Sequence, residues 1–238
     1  STGTLDGNDS LFVGYHSIQN STVLGGAGAD TLVIGADGFA NLSRSSIQNV
    51  LFGAKDGNDS LSIAGIFQAS TVDAGAGADT LWLINSSTTV NQTTGFYAGA
   101  GADLVSGQQI FGGTLFGDTS ADDTAGGADT ISLASLSAAS VYGAAGADSI
   151  ILSTASTGSQ IFGGAGADTF SLGTAGISGT GGVIDGGADA DLISGAATIA
   201  SASVLGGDGN DTFNLTGAIG TGATLLGGAG ADSLIFGA

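Results

Sequence analysis

A glycine-rich hexamer closing on aspartate recurs from one end of the chain to the other, "GGAGAD" at residues 163–168 being one copy. Eleven aspartates share this context: Asp9, Asp30, Asp59, Asp79, Asp103, Asp129, Asp148, Asp168, Asp191, Asp211 and Asp232. Successive copies lie 19 to 29 residues apart, most often 20 or 21. Helical-hairpin repeats need about 33 to 47 residues, so this period excludes them and fits one coil of a β-solenoid. In such a fold each coil buries its apolar face only against its neighbours.

The register around each aspartate tells inside from outside. The residue two positions after it is apolar in all eleven copies, as in Leu32, Ile150 and Phe170. Seven positions before it the residue is again apolar, as in Val23, Phe52 and Ile161, except at Thr2 and Asp122. The residue directly after the aspartate is almost always Ser or Thr, so that polar and apolar positions alternate as in strands with one buried face. Two short strands therefore flank each glycine turn. The opposite turn of each coil carries Ser, Thr, Ala and Gly without aspartate, as in "TASTG" and "SLSAAS". The long spacings place insertions near residues 36–49 and 107–124, in a single domain spanning 1–238.

Composition narrows the function. All 21 acidic residues are Asp, against 2 basic residues, for a formal net charge of −19. Exclusive use of the shorter carboxylate implies positions with a geometric task. With only Arg44 and Lys55 to meet phosphates, nucleic acid is not a partner. Cys is absent, so thiolate metal sites and disulfides are excluded. No apolar run reaches the roughly 18 residues of a membrane helix. His16, the sole imidazole, has no nucleophile context around it, and no Gly-Lys-Ser/Thr phosphate loop occurs. The chain reads as a non-enzyme.

Glycine stands two residues before the aspartate in ten of the eleven motifs, Asp189 being the exception, and such a position asks for positive φ. A turn of this kind directs carbonyl oxygens to one side, and the carboxylate closes the ring. Coils stacked about 4.8 Å apart would line each gap with oxygens from both neighbours. Hard oxygen donors without sulfur or imidazole suit Ca²⁺. Without a cation the carboxylates of the column repel by about 1 kcal/mol per neighbouring pair, and more where buried. About ten Ca²⁺ ions in one row, one per gap, would nearly cancel the chain's −19.

"GGAGADTLV", "GGAGADTFS", "GGDGNDTFN" and "GGAGADSLI" resemble the RTX family of calcium-binding nonapeptide repeats, Gly-Gly-x-Gly-x-Asp-x-U-x with U apolar. The resemblance covers about residues 4–236. It implies an all-β, right-handed parallel β-roll or β-solenoid, here of about 11 coils. It also implies Ca²⁺ held between turns by the motif carboxylates and by backbone oxygens of the first four motif positions. Those are Gly25, Gly26, Ala27 and Gly28; Gly163, Gly164, Ala165 and Gly166; Gly206, Gly207, Asp208 and Gly209; and Gly227, Gly228, Ala229 and Gly230. For the gap between Asp148 and Asp168 the set would include Gly143 to Gly146. Family members commonly repeat the motif every nine residues and bind calcium along both edges. One motif per coil implies a single calcium-binding edge. The turns at Asp9 ("TLDGN"), Asp59 ("AKDGN") and Asp129 ("TAGGA") depart from the pattern.

The expected function is that of a secreted calcium-binding structural protein of a bacterial surface layer, matrix filament or adhesin. It would be exported by type I secretion and would fold on meeting extracellular Ca²⁺. The alternatives are the repeat domain of a secreted enzyme, or an ice-binding or adhesion module. Trp82, outward by register, offers a contact for a surface polysaccharide or protein, or covers an insertion. Six residues before the aspartate, Leu24, Tyr97, Tyr142, Phe162, Leu205 and Leu226 form a second outward row, the mark of an interface unless an insertion folds over it. Self-association through that stripe or the solenoid ends is the expected partnership.

Overall fold

The computed structural model describes residues 7–13, 18–34, 46–63, 66–83, 95–119, 126–174 and 176–237. His16 and Arg44 lie outside them. The described residues form 23 strands and no helix, and every strand pairing is parallel. This is the expected parallel β-solenoid.

Each motif aspartate is followed at the next residue by a strand, from Ser10–Val13 to Ser233–Phe236. These strands pair in sequence without slippage, as in Ser149↔Thr169↔Leu192↔Thr212↔Ser233. A second ladder leads into the motifs, from Ile18–Ala27 to Thr224–Ala229. Eleven aspartate turns enclose only ten intervals, so the number of complete coils is slightly below the eleven that the motif count suggests.

The core follows the sequence register. Phe170, Phe213, Ile131 and Ile193 after the aspartate, and Phe52, Val141, Ile161 and Ile184 before the motif, are fully buried. Because coil stacks on coil, like side chains meet in columns, and each column stays inside only while the register holds. At the outer strands the cover runs out: Leu11 is 43 % exposed and Leu234 42 %.

Two expectations change. Counting back from Asp129 put Asp122 at the inward position. Leu115 takes it instead, fully buried and paired with Phe96 and Val141. The extra residues of this repeat therefore fall inside its motif turn, between Asp118 and Gly126, and 107–116 are strand or tight turn. In the first long repeat, strand Ser46–Asp56 likewise takes in 46–49; residues 36–45 and 120–124 lie outside the described residues. The outward apolar row is also not continuous. Gly53, Asp73 and Asp185 occupy it between Leu24 and Tyr97 and between Phe162 and Leu205.

What that row does contain is a stack of rings. Tyr97, Phe116, Tyr142 and Phe162 lie face to face at centroid separations of 4.8, 5.0 and 4.9 Å. The coil spacing sets that distance, and it falls in the range where offset aromatic pairs attract.

Candidate metal centre

The motif aspartates point inward. Asp30, Asp59, Asp79, Asp103, Asp129, Asp148, Asp168, Asp191 and Asp211 are all buried, and Asp9 and Asp232 at the ends are half-buried. Each coil's aspartate N–H donates to Oδ1 of the next coil's aspartate at 2.6 to 3.1 Å. The chain of ten bonds joins all eleven residues. The divergent turns at Asp9, Asp59 and Asp129 take their places in it like the others.

The second oxygen has no such partner. Oδ2 of Asp9, Asp30, Asp59, Asp79, Asp103, Asp129, Asp148, Asp168, Asp191 and Asp211 is buried without any hydrogen bond. Folded proteins rarely leave a buried carboxylate oxygen so, because the lost hydration is uncompensated. The ionisation shows the strain. Burial, opposed by the amide bond and aided by neighbouring carboxylates, pushes Asp79 and Asp191 up to about 7 and Asp129 and Asp168 up to about 8. Asp103 and Asp148 rise to about 6, again mainly through burial, and Asp59 rises for the same reason.

The first glycine of the motif explains where Oδ2 points. A Cβ on Gly163 would run into Asp168 Oδ2 and the carbonyl oxygen of Gly186. The same pair of oxygens, one from the coil's own aspartate and one from the next coil's first motif carbonyl, borders Gly117, Gly143, Gly186 and Gly206. Gly25 meets Asp30 Oδ2 and, 3.1 Å away, the carbonyl oxygen of Ala54; Gly227 meets Asp232 Oδ2. In these turns a side chain would meet the carboxylate; the turns of Asp59, Asp79 and Asp103 carry Ala54, Ala74 and Ala98 at the same position. Two positions before the aspartate, Gly28, Gly166, Gly209 and Gly230 have φ between +119° and +152°, with Asp189 taking 74° in its own turn. A Cβ there would also strike the preceding coil's carbonyl, as at Gly166 against Gly146.

The other expected donors fall differently. The carbonyls of Ala27, Ala165 and Ala229 accept the amides of Gly7, Gly146 and Gly209 in the preceding coil, and their side chains face solvent, as does that of Asp208. Gly26, Gly164, Gly207 and Gly228 adopt φ of +111° to +117° and turn the chain toward the aspartate. In the gaps at Asp30, Asp129, Asp148, Asp168, Asp191 and Asp211, then, the structure brings together Oδ2 and the first motif carbonyl.

Among the described residues no three Asp or His side chains gather into a metal-holding group. A cation between coils therefore relies on main-chain oxygen. The donor set fits a hard ion: orphaned anionic oxygens, carbonyls beside them, and no nitrogen or sulfur.

Asparagine was missed by the reading of the sequence. Asn8, Asn58 and Asn210, each directly before its aspartate, accept through Oδ1 the amides of Ala29, Ala78 and Ala231 in the next coil at 2.8 to 3.0 Å. The three copies that read Gly-Asn-Asp carried the signal.

The family model described as RTX calcium-binding nonapeptide repeat (4 copies) matches residues 18–37 and 159–174. No curated protein and no solved structure matches the chain. The matched segments contain Asp30 and Asp168, two rungs of an unbroken ladder that repeats the same carboxylate geometry in every coil. Over those two segments the chain is similar to the RTX calcium-binding nonapeptide repeat, and the aspartate ladder carries one such turn in each coil.

Proposed function

We propose that the chain is an extracellular structural protein, of a surface layer, matrix filament or adhesin, whose solenoid forms when Ca²⁺ enters the aspartate column. The observation that carries this reading is the row of ten buried, unpartnered Oδ2 atoms. Asp30, Asp129, Asp148, Asp168, Asp191 and Asp211, each with the neighbouring carbonyl described above, would hold the ions, about ten in one row if every gap is filled. Bound Ca²⁺ supplies positive charge and coordination to oxygens that otherwise lie dry.

Location follows from the same energetics. Extracellular modules bind Ca²⁺ at roughly 10⁻⁴ to 10⁻³ M, far above free cytosolic levels. A chain of net charge −19 would therefore stay open inside a cell and close outside it. Self-association, by a second copy of the chain adding a coil to an edge strand, would extend the ladder into a filament. Trp82, 48 % exposed between Ser62 and Ser106, is a contact for a surface polysaccharide.

Circular dichroism of the metal-free protein at neutral pH, titrated with Ca²⁺ into the millimolar range, tests the reading. A transition from coil to β is expected. A full β signal in excess chelator would show that the fold does not depend on the ion.

A further inference from the structure

One buried carboxylate stands outside the motif column. Asp118 is completely buried, and it sits where the turn of Asp129 is opened by its extra residues. In regular turns the alanine three residues before the aspartate donates to a backbone carbonyl of the preceding coil, as Ala76 does to Lys55 and Ala100 to Gly75. Here that donor, Ala145, bonds Asp118 Oδ2 at 3.0 Å, and Gly127 approaches Asp118 Oδ1 at 3.3 Å. The carboxylate has replaced main-chain oxygen at a seam in the ladder. It brings a full negative charge where other turns have a carbonyl dipole.

That charge lies beside a gap of the column. Gly117, its neighbour in sequence, faces Asp129 Oδ2, which is buried and unpartnered, and the carbonyl oxygen of Gly143 2.7 Å from the Cβ position. Asp118 is near enough to raise the carboxyls of Asp103, Asp129 and Asp148 by repulsion. Other non-motif aspartates adjoin the column, Asp73 near Asp79 and both Asp185 and Asp189 near Asp191, but none of them is buried. Solvent screens them, whereas the Asp118 charge acts through protein.

We propose that the gap between the turns of Asp129 and Asp148, next to Asp118, takes a divalent or trivalent cation ahead of the other gaps and is where metal-driven winding of the solenoid starts. The inference rests on the cation-column reading. An added charge at this range, acting on a multivalent ion, strengthens binding by about tenfold or more. Asp118 acts as a positioning and charge-supplying residue at this gap.

The aromatic stack provides a local probe. Tyr142 immediately precedes Gly143, so Tb³⁺ in this gap is sensitised by tyrosine, while the gaps beyond Asp191 have no described tyrosine or tryptophan in the adjoining motif turns. The full chain carrying Trp82→Phe, Tyr15→Phe and Tyr97→Phe, which leaves Tyr142 as the sensitiser, is titrated with Tb³⁺. Tyrosine-sensitised emission and total bound metal by equilibrium dialysis are both followed. Emission is expected to rise in the first additions and level off while uptake continues. Adding Tyr142→Phe should abolish the early rise, and adding Asp118→Asn should delay it until emission tracks total uptake. Asp185→Asn, a matched change at an aspartate outside the column that is not buried, should leave the early rise in place. Dichroism at saturating metal checks that each variant is folded, and the parent's own curve tests the order of loading without any variant at Asp118. Emission proportional to uptake in the parent, or an early rise unchanged by Asp118→Asn, overturns the inference and leaves the column intact. No uptake at all overturns the column itself.

Discussion

The amide of Asp148 donates to Oδ1 of Asp168 at 2.8 Å, while Oδ2 of the same carboxylate stays buried and unbonded. One half of the side chain closes the ladder and the other half leaves a charge to be met. Substitutions can separate the two tasks. Asp168→Ala removes both and strands the buried Asp148 amide, a loss of about 1–3 kcal/mol in stability with or without metal. Asp168→Asn keeps an acceptor for that amide and removes the buried charge. It is expected to stabilise the metal-free protein and to weaken the stabilisation that Ca²⁺ confers. Urea denaturation of both variants in chelator and in saturating Ca²⁺ reads the difference. An asparagine variant less stable than wild type in chelator would show that the charge is not a burden.

Acid should substitute for metal. The carboxyls of Asp79, Asp129, Asp168 and Asp191 titrate at about 7 to 8 in the folded chain and near the ordinary 3.8 when unfolded. Between those values the folded state holds more protons, so stability falls as pH rises. Their contribution is fully present below about pH 4 and is lost through about pH 6 to 8. The metal-free protein is therefore expected to keep its β dichroism in mild acid and lose it toward neutrality, with Ca²⁺ restoring it at pH 7.5 or so. A metal-free fold that grows more stable from pH 5 to pH 8 would contradict this assignment.

Most of the solenoid was legible because its register is written twice, in the apolar residue two places after each aspartate and in the one seven places before it. Phe170 and Ile161 went to the core on that pattern alone. The count failed at Asp122, since a spacing rule assumes that extra residues lie outside the motif. Only pairing shows Leu115 in line with Val141. The carboxylate column was legible as a column. Its inner geometry was not: that Oδ1 would serve the backbone and Oδ2 would face the first glycine depends on how closely two coils approach. Phe116 was likewise hidden from the aromatic row by the same insertion.

Glycine at the first motif position is expected to matter where an added Cβ would meet Oδ2, as at Gly163, whereas the turns of Asp59, Asp79 and Asp103 are built around Ala54, Ala74 and Ala98. In Gly163→Ala the methyl group must displace either the carboxylate of Asp168 or the Gly186 backbone. Overpacking of this kind costs about 1–3 kcal/mol, and here it also moves the donor away from the gap. Calcium uptake should fall by about one ion per chain while the rest of the column keeps filling. Gly181→Ala, whose added Cβ meets nothing within 4 Å, is the comparison for strain alone, since its φ is +86°. Isothermal titration of the two variants decides the matter. Equal stoichiometry in both would mean that the first glycine serves only the turn.

The aromatic stack offers a test of how stability is shared along the solenoid. Tyr142 is stacked on both faces, against Phe116 and Phe162, whereas among the described residues Tyr97 is stacked only on Phe116. Each such pair contributes about 0.5–1.5 kcal/mol beyond the area it buries. Coils contact only their neighbours, so the effects should stay local and leave distant coils unchanged. Tyr142→Ala is therefore expected to cost about twice the stacking energy of Tyr97→Ala. The double variant strips Phe116 of both its stacking partners, so its cost should depart from the sum. Hydrogen exchange in saturating Ca²⁺ should show the loss of protection concentrated in strands Thr114–Phe116, Ser140–Ala145 and Gln160–Ala165 for Tyr142→Ala. Protection lost equally at Thr212–Leu215, three coils from Tyr142, would mean that the solenoid unfolds as one unit and that the stack is not a local clamp.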